Sequence, residues 1–335
     1  MKKIPYKNIK SFFENKLEEI SLPKEVIDTT VASLVEASLF GIDSHGVNLF
    51  RHYYDCLRIG RIKKGSFIEF KIKGSAIRCN AHNNLANYAA RKLLLKLDAL
   101  SNINGIAFGS IINSDHIGAV GIHAVNSNLT DKLIFGFTNA DALAVTPDGN
   151  NILFGTNPIS MVLRTSNKLT YIDLATTSFS MNKVKNYRRE KVNLPIDIAR
   201  DKNLDPTINP NEASFLEPIG SHKGFALAYM VELLTSGLTN QSHSKFLMPM
   251  YGTDLKEKRG VSHSFIILNP KFLGDEIIDS LMKCVTITSE NVSLNQSSLI
   301  PGIKESLTKK ERELAGIPVS KEILNGWIEL GFKYD

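Results

Sequence analysis

Ser114-Asp115-His116-Ile117-Gly118-Ala119-Val120-Gly121 follows an apolar, β-rich run from Gly105 to Ile112. A run that breaks on Ser-Asp-His and then enters a glycine-punctuated apolar stretch predicts a strand passing through a loop into a helix. Ser114 or Asp115 can cap that helix, and its early glycines let a ligand approach the backbone amides. The segment lacks the Gly-x-Gly-x-x-Gly fingerprint, and neither that pattern nor a P-loop occurs elsewhere in the chain. A dinucleotide would therefore sit on something other than a Rossmann crossover.

Further strands are predicted downstream at Leu133 to Thr138, Ile159 to Arg164, Leu169 to Ala175, Ser264 to Leu268 and Lys283 to Thr288. Upstream, a helix near Leu85 to Leu100 follows an alternating stretch from Ser66 to Cys79 that reads as a hairpin. The first sixty residues read as helical. Ser21 as N-cap and Pro23 as N1 open a helix whose Ile27, Val31, Leu34, Val35 and Leu39 share one face, closed at Phe40-Gly41. A second helix is predicted from Asp43-Ser44 to Arg58, with Gly60 as its stop. Phe225 to Leu234 is apolar on every side and reads as a buried helix; Lys185 to Ser214, with three prolines, reads as loop. The fold class is α/β, with a helical part (1–65), a small α/β part (66–120), a central mixed-sheet domain (121–290) and a C-terminal helical segment (291–335) packing back on the first.

The chain has 335 residues, 43% hydrophobic and 22% charged, which suits a folded soluble protein and excludes disordered or collagenous classes. Its net charge of +6 is spread among acids, as in Lys256-Glu257-Lys258-Arg259, so it reads as solvated surface and not as a nucleic-acid stripe. Three cysteines without Cys-x-x-Cys spacing fit a reducing compartment. Lys7, Lys10, Glu14 and Lys16 break up any signal-peptide core, and the most apolar stretch contains Asn113 to His116, so a cytoplasmic protein without a membrane span is expected. His45 and His52 have no third ligand near them, so no metal is expected.

Four polar segments can carry chemistry. In the predicted second helix His45, Leu49, His52, Tyr53 and Cys56 fall within a quarter-turn arc, with Arg51 on the other side; the face lines a polar pocket or packs as satisfied core. His116 is either a proton-transfer group or an incidental histidine at a helix mouth. Thr138-Asn139-Ala140 and Gly155-Thr156-Asn157-Pro158 can orient a polar substrate, or simply form turns. Asp173-Leu174-Ala175-Thr176 ends a strand, and Ser221-His222-Lys223-Gly224 opens the apolar helix. A first-turn lysine opposes the helix dipole, so Lys223 asks for an anion: a cofactor phosphate, a substrate carboxylate, or Glu217.

Taken in this order, the segments resemble the malate/L-lactate dehydrogenase family, which includes L-sulfolactate dehydrogenase, ureidoglycolate dehydrogenase and Δ1-piperideine-2-carboxylate reductase. The resemblance runs from Gly41-Ile42-Asp43-Ser44-His45-Gly46-Val47 through Asp115 to Gly121, Lys223-Gly224-Phe225-Ala226-Leu227 and Met250-Tyr251-Gly252 to Gly316-Ile317-Pro318. It implies a non-Rossmann dinucleotide-binding sheet like that of L-sulfolactate dehydrogenase, NAD or NADP as cofactor, a small-molecule substrate and a homodimer. It also implies roles. Ser44, His45 and His116 would be catalytic, and Tyr53 and Thr156 would meet substrate. Ile117, Gly118, Ala119, Val120, Gly121, Asn139, Asp173, Leu174, Ala175 and Lys223 would meet cofactor. The implied activity is hydride transfer between NAD(P)H and a small 2-oxo or 2-hydroxy acid, carbonyl or imine; the alternative is a non-catalytic homologue that binds a ligand or serves in assembly. Many members carry an arginine four residues after the Ser-His histidine, suited to gripping a carboxylate, and here that residue is Leu49. Pro301-Gly302-Ile303 likewise departs from the usual Pro-Gly-Glu.

Overall fold

The computed structural model describes residues 1–166, 168–251, 256–292 and 300–334. Three helices build the first part: α1 (Tyr6–Glu19), α2 (Lys24–Leu39) and α3 (Phe50–Ile59). The predicted face of α2 is buried throughout, although its cap differs: Pro23 is the N-cap, and Ser21 takes a left-handed φ of 61° in the turn before it. Phe12, Phe13 and Phe332 surround Trp327, with Phe13 stacked on Phe50 at 3.7 Å and meeting Trp327 edge-on at 5.2 Å. Trp327 arrives from the far end of the chain because Ile317–Val319 pairs antiparallel with Lys2–Ile4.

A seven-stranded mixed sheet forms the second layer. Its strands are β1 (Glu69–Lys73), β2 (Ala76–Asn80), β3 (Ile106–Ser114), β4 (Lys132–Thr138), β5 (Ile159–Arg164), β6 (Leu169–Leu174) and β7 (Val261–Leu268), in the order β1-β2-β3-β7-β4-β5-β6. Neighbours are antiparallel except for β2 and β3, which are parallel. α4 (Ala86–Asn104) and α5 (Val120–Ser127) cover this sheet, with Leu93, Leu94, Leu97 and Ile122 in its core. Among the described residues no helix is long and apolar enough to cross a membrane.

Several expectations are corrected. The helix predicted from Asp43 begins at Phe50, after two 3-10 turns at Asp43–His45 and Val47–Leu49. Gly46 explains the break: a Cβ there would stand 2.1 Å from Ser38 Oγ, the atom that accepts the Val47 N–H at 3.0 Å. The turn is thus pressed onto α2, and Arg312 of α9 (Ile303–Ala315) holds it from outside with a fork on Asp43 at 2.6 and 3.0 Å. Lys283 to Thr288 lies inside α8 (Ile277–Asn291); its Val-Thr-Ile-Thr alternation imitates a strand, whereas Ile277, Leu281, Cys284 and Val285 supply the helical period.

Between β6 and α8 lie two more helices. α6 (Met181–Glu190) occupies the start of the expected loop, with Ser180 Oγ accepting the Lys183 N–H. α7 (His222–Glu232) continues into a π-helical turn at Leu233–Gly237 and is buried on its inner side only. Leu227, Tyr229, Met230 and Leu233 are exposed, so the helix read as enclosed carries an open apolar face.

Trp327→Ala removes the largest fully buried side chain. It should lower stability by about 3–5 kcal/mol, read as a lower urea midpoint by circular dichroism. A shift under ~1 kcal/mol would show that the cluster does not hold the helical part together.

Candidate active site

A cavity of about 640 Å³ opens where the 42–49 turn, the His116–Val120 segment, the ends of β4 and β6, and α6 converge. That volume suits a small-molecule site. Ser44, His45 and His116 all border it, and the two imidazoles lie nearly parallel with centroids 5.6 Å apart.

His45 is oriented by Ser44, whose Oγ lies 2.8 Å from His45 Nδ1. Burial pushes His45 down to about 4, so it is neutral at neutral pH. On His116, Nδ1 receives the Gly118 N–H at 3.3 Å and lies 2.9 Å from the Tyr53 hydroxyl. The Tyr53 hydroxyl is also 3.3 Å from the His116 carbonyl, to which it can donate. Two arrangements are therefore open. In one, Nδ1 accepts from both Gly118 and Tyr53 and the ring proton sits on Nε2. In the other, the Gly118 bond is given up, Nδ1 carries the proton and donates it to the Tyr53 hydroxyl, which turns its own hydrogen to the carbonyl, and Nε2 is bare. Burial, and then the neighbouring His45 and Arg259, hold His116 well below the ordinary histidine value. Tyr53 is pushed well above the phenol range and stays protonated.

The backbone on each side of His116 is fixed by histidines that the sequence reading missed. His263 Nε2 donates to the Asp115 carbonyl at 3.1 Å, with its Nδ1 2.6 Å from Thr138 Oγ1. His123 Nε2 donates to the Ile117 carbonyl at 2.8 Å. Burial holds these two down at about 3 and about 4, so both work as neutral donors.

Asp115 does not cap a helix, and neither does Ser114: α5 starts five residues later, at Val120, with no side-chain cap. Asp115 is instead buried between two buried arginines, 3.5 Å from Arg61 Nε and 3.5 Å from Arg259 Nη1, while its Oδ1 accepts the His116 N–H at 2.6 Å. Arg61 also donates to the carbonyls of Pro249 and Met250, and Arg259 to that of Met248, besides pairing with Asp141. Met250, Tyr251, Arg259 and Asp141 become cavity wall in this way; Met250 and Tyr251 lie in a segment the sequence singled out, whereas nothing local marks Asp141 or Arg259.

Asp173 ends β6. Its Oδ2 accepts the Gly121 N–H at 2.8 Å and the Tyr171 hydroxyl at 2.9 Å. Burial outweighs those bonds and raises the carboxyl to about 6. Gly118, Ala119, Val120, Thr156 and Ala175 also border the cavity. Asn139 borders it too, but its amide is committed to Ser262 and Ser242. Five expected contacts are not brought to the wall: Tyr53 sits behind His116, Ile117 is core, Leu174 faces outward, Gly121 reaches the site through Asp173, and Lys223 is not among the residues that border the cavity. Lys223 is exposed at the start of α7, so it does not lose hydration as the sequence suggested, and Glu217 pairs with Arg200 instead. Leu49 is buried in the wall, and Arg51 points away from it to Asp55 and Glu329, as its position on the helix implied. Gly252 lies outside the described residues.

Residues 4–326 match the family model described as Malate/L-lactate dehydrogenase. The chain belongs to that family. Family members are NAD(P)-dependent oxidoreductases, and so is this chain. It is 30% identical to the malate/(S)-sulfolactate dehydrogenase of Methanothermus fervidus over 92% of this chain and 91% of that one. It is 28% identical to the (2R)-3-sulfolactate dehydrogenase (NADP(+)) of Chromohalobacter salexigens over 88% of each. The sulfolactate dehydrogenase structure from Methanocaldococcus jannaschii superposes with a TM-score of 0.88 at 24% identity, covering 99% of this chain and 98% of that one. The fold is the non-Rossmann mixed sheet of this family, which accounts for the missing glycine fingerprint.

Asp173→Asn tests whether that carboxylate serves the ligand or the fold. An amide oxygen can still accept from Gly121 and Tyr171, and loss of a buried charge whose pKa is raised removes a cost present above pH 6. The variant should melt no lower than the parent at pH 8 yet bind NAD(P)H about tenfold more weakly, as expected for a lost charge-assisted bond. Unchanged affinity would remove Asp173 from the cofactor site.

Proposed function

We propose that this cavity carries out reversible hydride transfer between NAD(P)H and the carbonyl or imine carbon of a small 2-oxo acid or related compound, with His116 exchanging the proton. The observation that carries the reading is the arrangement on His116, where Gly118 and Tyr53 engage Nδ1 and leave Nε2 to the cavity. The residues present fit a dinucleotide. Gly118, at φ 80°, bares its backbone to the cavity, and Asp173 uses one carboxylate oxygen for protein bonds and keeps the other for a ligand hydroxyl or amide. Gly118, Ala119, Val120, Asp173 and Ala175 would hold the cofactor, and Lys223, exposed in the first turn of α7, would meet a phosphate. When bound, the cofactor supplies or takes the hydride.

In reduction, protonated His116 gives its Nε2 proton to the substrate oxygen and keeps the Nδ1 proton, which the Tyr53 hydroxyl accepts while turning its own hydrogen to the His116 carbonyl. In oxidation, neutral His116 with Nδ1 protonated takes the proton at Nε2. Ser44 orients His45 against the substrate, Thr156 holds the far side, and Leu49 forms an apolar wall. The malate and sulfolactate activities of the relatives make small hydroxy acids the first class to assay. Three unpaired cysteines among the described residues, two of them buried, support a reducing cytoplasmic setting. The exposed apolar face of α7 supports a homodimer with that face at the contact. Met230→Glu should then turn a dimer into a monomer by light scattering; a parent that runs as a monomer would refute the assignment.

His116→Asn should lower kcat at least about a hundredfold with NAD(P)H affinity nearly unchanged, whereas His45→Ala should also raise KM. Oxidation needs unprotonated His116, so its lowered pKa keeps kcat/KM flat from pH 8 to well below 6.5; reduction needs the protonated form and should speed up toward acid. If His45→Ala abolishes turnover while His116→Asn retains most of it, the two roles are reversed.

A further inference from the structure

The substrate class proposed above is acidic, yet the wall beside His45 is apolar at Leu49. Charge pairing around the cavity shows where an acid group would be met. Arg259 borders the cavity, but its guanidinium is already divided among Asp141, Asp115 and the Met248 carbonyl. Of the acids on the wall, Asp141 is taken by Arg259, Asp173 by Gly121 and Tyr171, and Glu305 by the Gly302 N–H at 3.0 Å. Lys185 also borders the cavity, and among the described residues no carboxylate lies within ion-pair distance of it. Its Nζ stands 5.0 Å from the centre of the Tyr251 ring, and that ring is 5.0 Å from His52.

The position of Lys185 is set by α6. Asn182, three residues earlier and hence on the same side of the helix, donates from Nδ2 to the Ser44 carbonyl at 3.4 Å. One turn of α6 therefore pins the Ser44-His45 turn and carries Lys185 to the same side of the cavity. A lysine stem of four carbons can run along Leu49 and Tyr251 while keeping its ammonium at the opening.

We propose that Lys185 holds the anionic head of the substrate, in the role an arginine at position 49 would otherwise fill. The inference rests on the reading of the cavity as an oxo-acid site. An ammonium is a point charge, whereas a guanidinium is a planar fork matched to a carboxylate, so Lys185 should accept a planar carboxylate and a tetrahedral sulfonate with similar ease. The side chain at 49 is then free to be apolar and to pack the carbon next to the reacting centre.

Calorimetric binding of oxalate to the NADH-loaded protein tests the site without turnover. Lys185→Met should weaken oxalate about tenfold, Lys185→Arg should keep most of the affinity, and Leu49→Arg on the Lys185→Met background should recover it. The parent affinity should fall as salt rises. In steady-state assays the same Lys185→Met change should raise KM for oxaloacetate with kcat within a few-fold, and leave KM for the uncharged analogue pyruvamide unchanged. Absence of oxalate binding in the parent, equal affinity in parent and Lys185→Met, or an equal rise in KM for pyruvamide would each overturn the assignment. A parent that binds oxalate through Lys185 yet never oxidises NADH with any acid would instead overturn the catalytic reading and leave this one standing.

Discussion

Asp115 between Arg61 and Arg259 is the interaction on which the site depends. The three side chains come from the end of the helical part, the residue after the interior strand β3 and the segment before β7, and all are buried. An unpaired charge at that depth would cost several kcal/mol, so the fold cannot release one partner without losing the others. The same carboxylate fixes the His116 amide, and the same arginines hold the carbonyls of 248–250. A structural ion cluster thus sets the distance between His116 and the opposite wall.

Around that cluster the protein uses histidine mostly as a neutral amide-like donor. His263 and His123 hold carbonyls, and His45 is held by a serine. All are kept uncharged by burial, so several positive charges do not gather around the cavity. Buried Glu232 plays the matching role on the α7 side. It accepts from Asn157, Ser236 and Ser244, and Asn157 in turn receives the Ala140 N–H, so the loops on either side of Thr156 share one acceptor.

Local chemistry was legible in the sequence wherever a residue's neighbours in the chain are also its neighbours in space. The apolar face of α2, the strand before His116, the turn glycines and the polar Ser44-His45 and Asp173 segments could be read directly. Failures fall where a distant residue decides. The start of α3 is moved seven residues by Ser38 meeting Gly46, and Asp115 is drawn away from capping by arginines at 61 and 259. Asp141, Arg259 and Lys185 belong to none of the segments singled out in the sequence; they reach the cavity through tertiary placement that spacing along a chain does not encode. The face of α7 was misread because an apolar helix looks the same in sequence whether its own fold or a second molecule covers it.

The pairing of Lys2–Ile4 with Ile317–Val319 bears on how the chain is made. The aromatic cluster under α1 and α3 takes Trp327 and Phe332 as members, so the part synthesised first lacks its centre until residues 317–332 have left the ribosome. During that interval Phe12, Phe13 and Phe50 face solvent or whatever binds nascent apolar surface, while the seven-stranded sheet, complete at Leu268, is free to form. Closure by a contact spanning more than three hundred residues makes the helical part the late-folding half of the molecule, and its early exposure a target for chaperones.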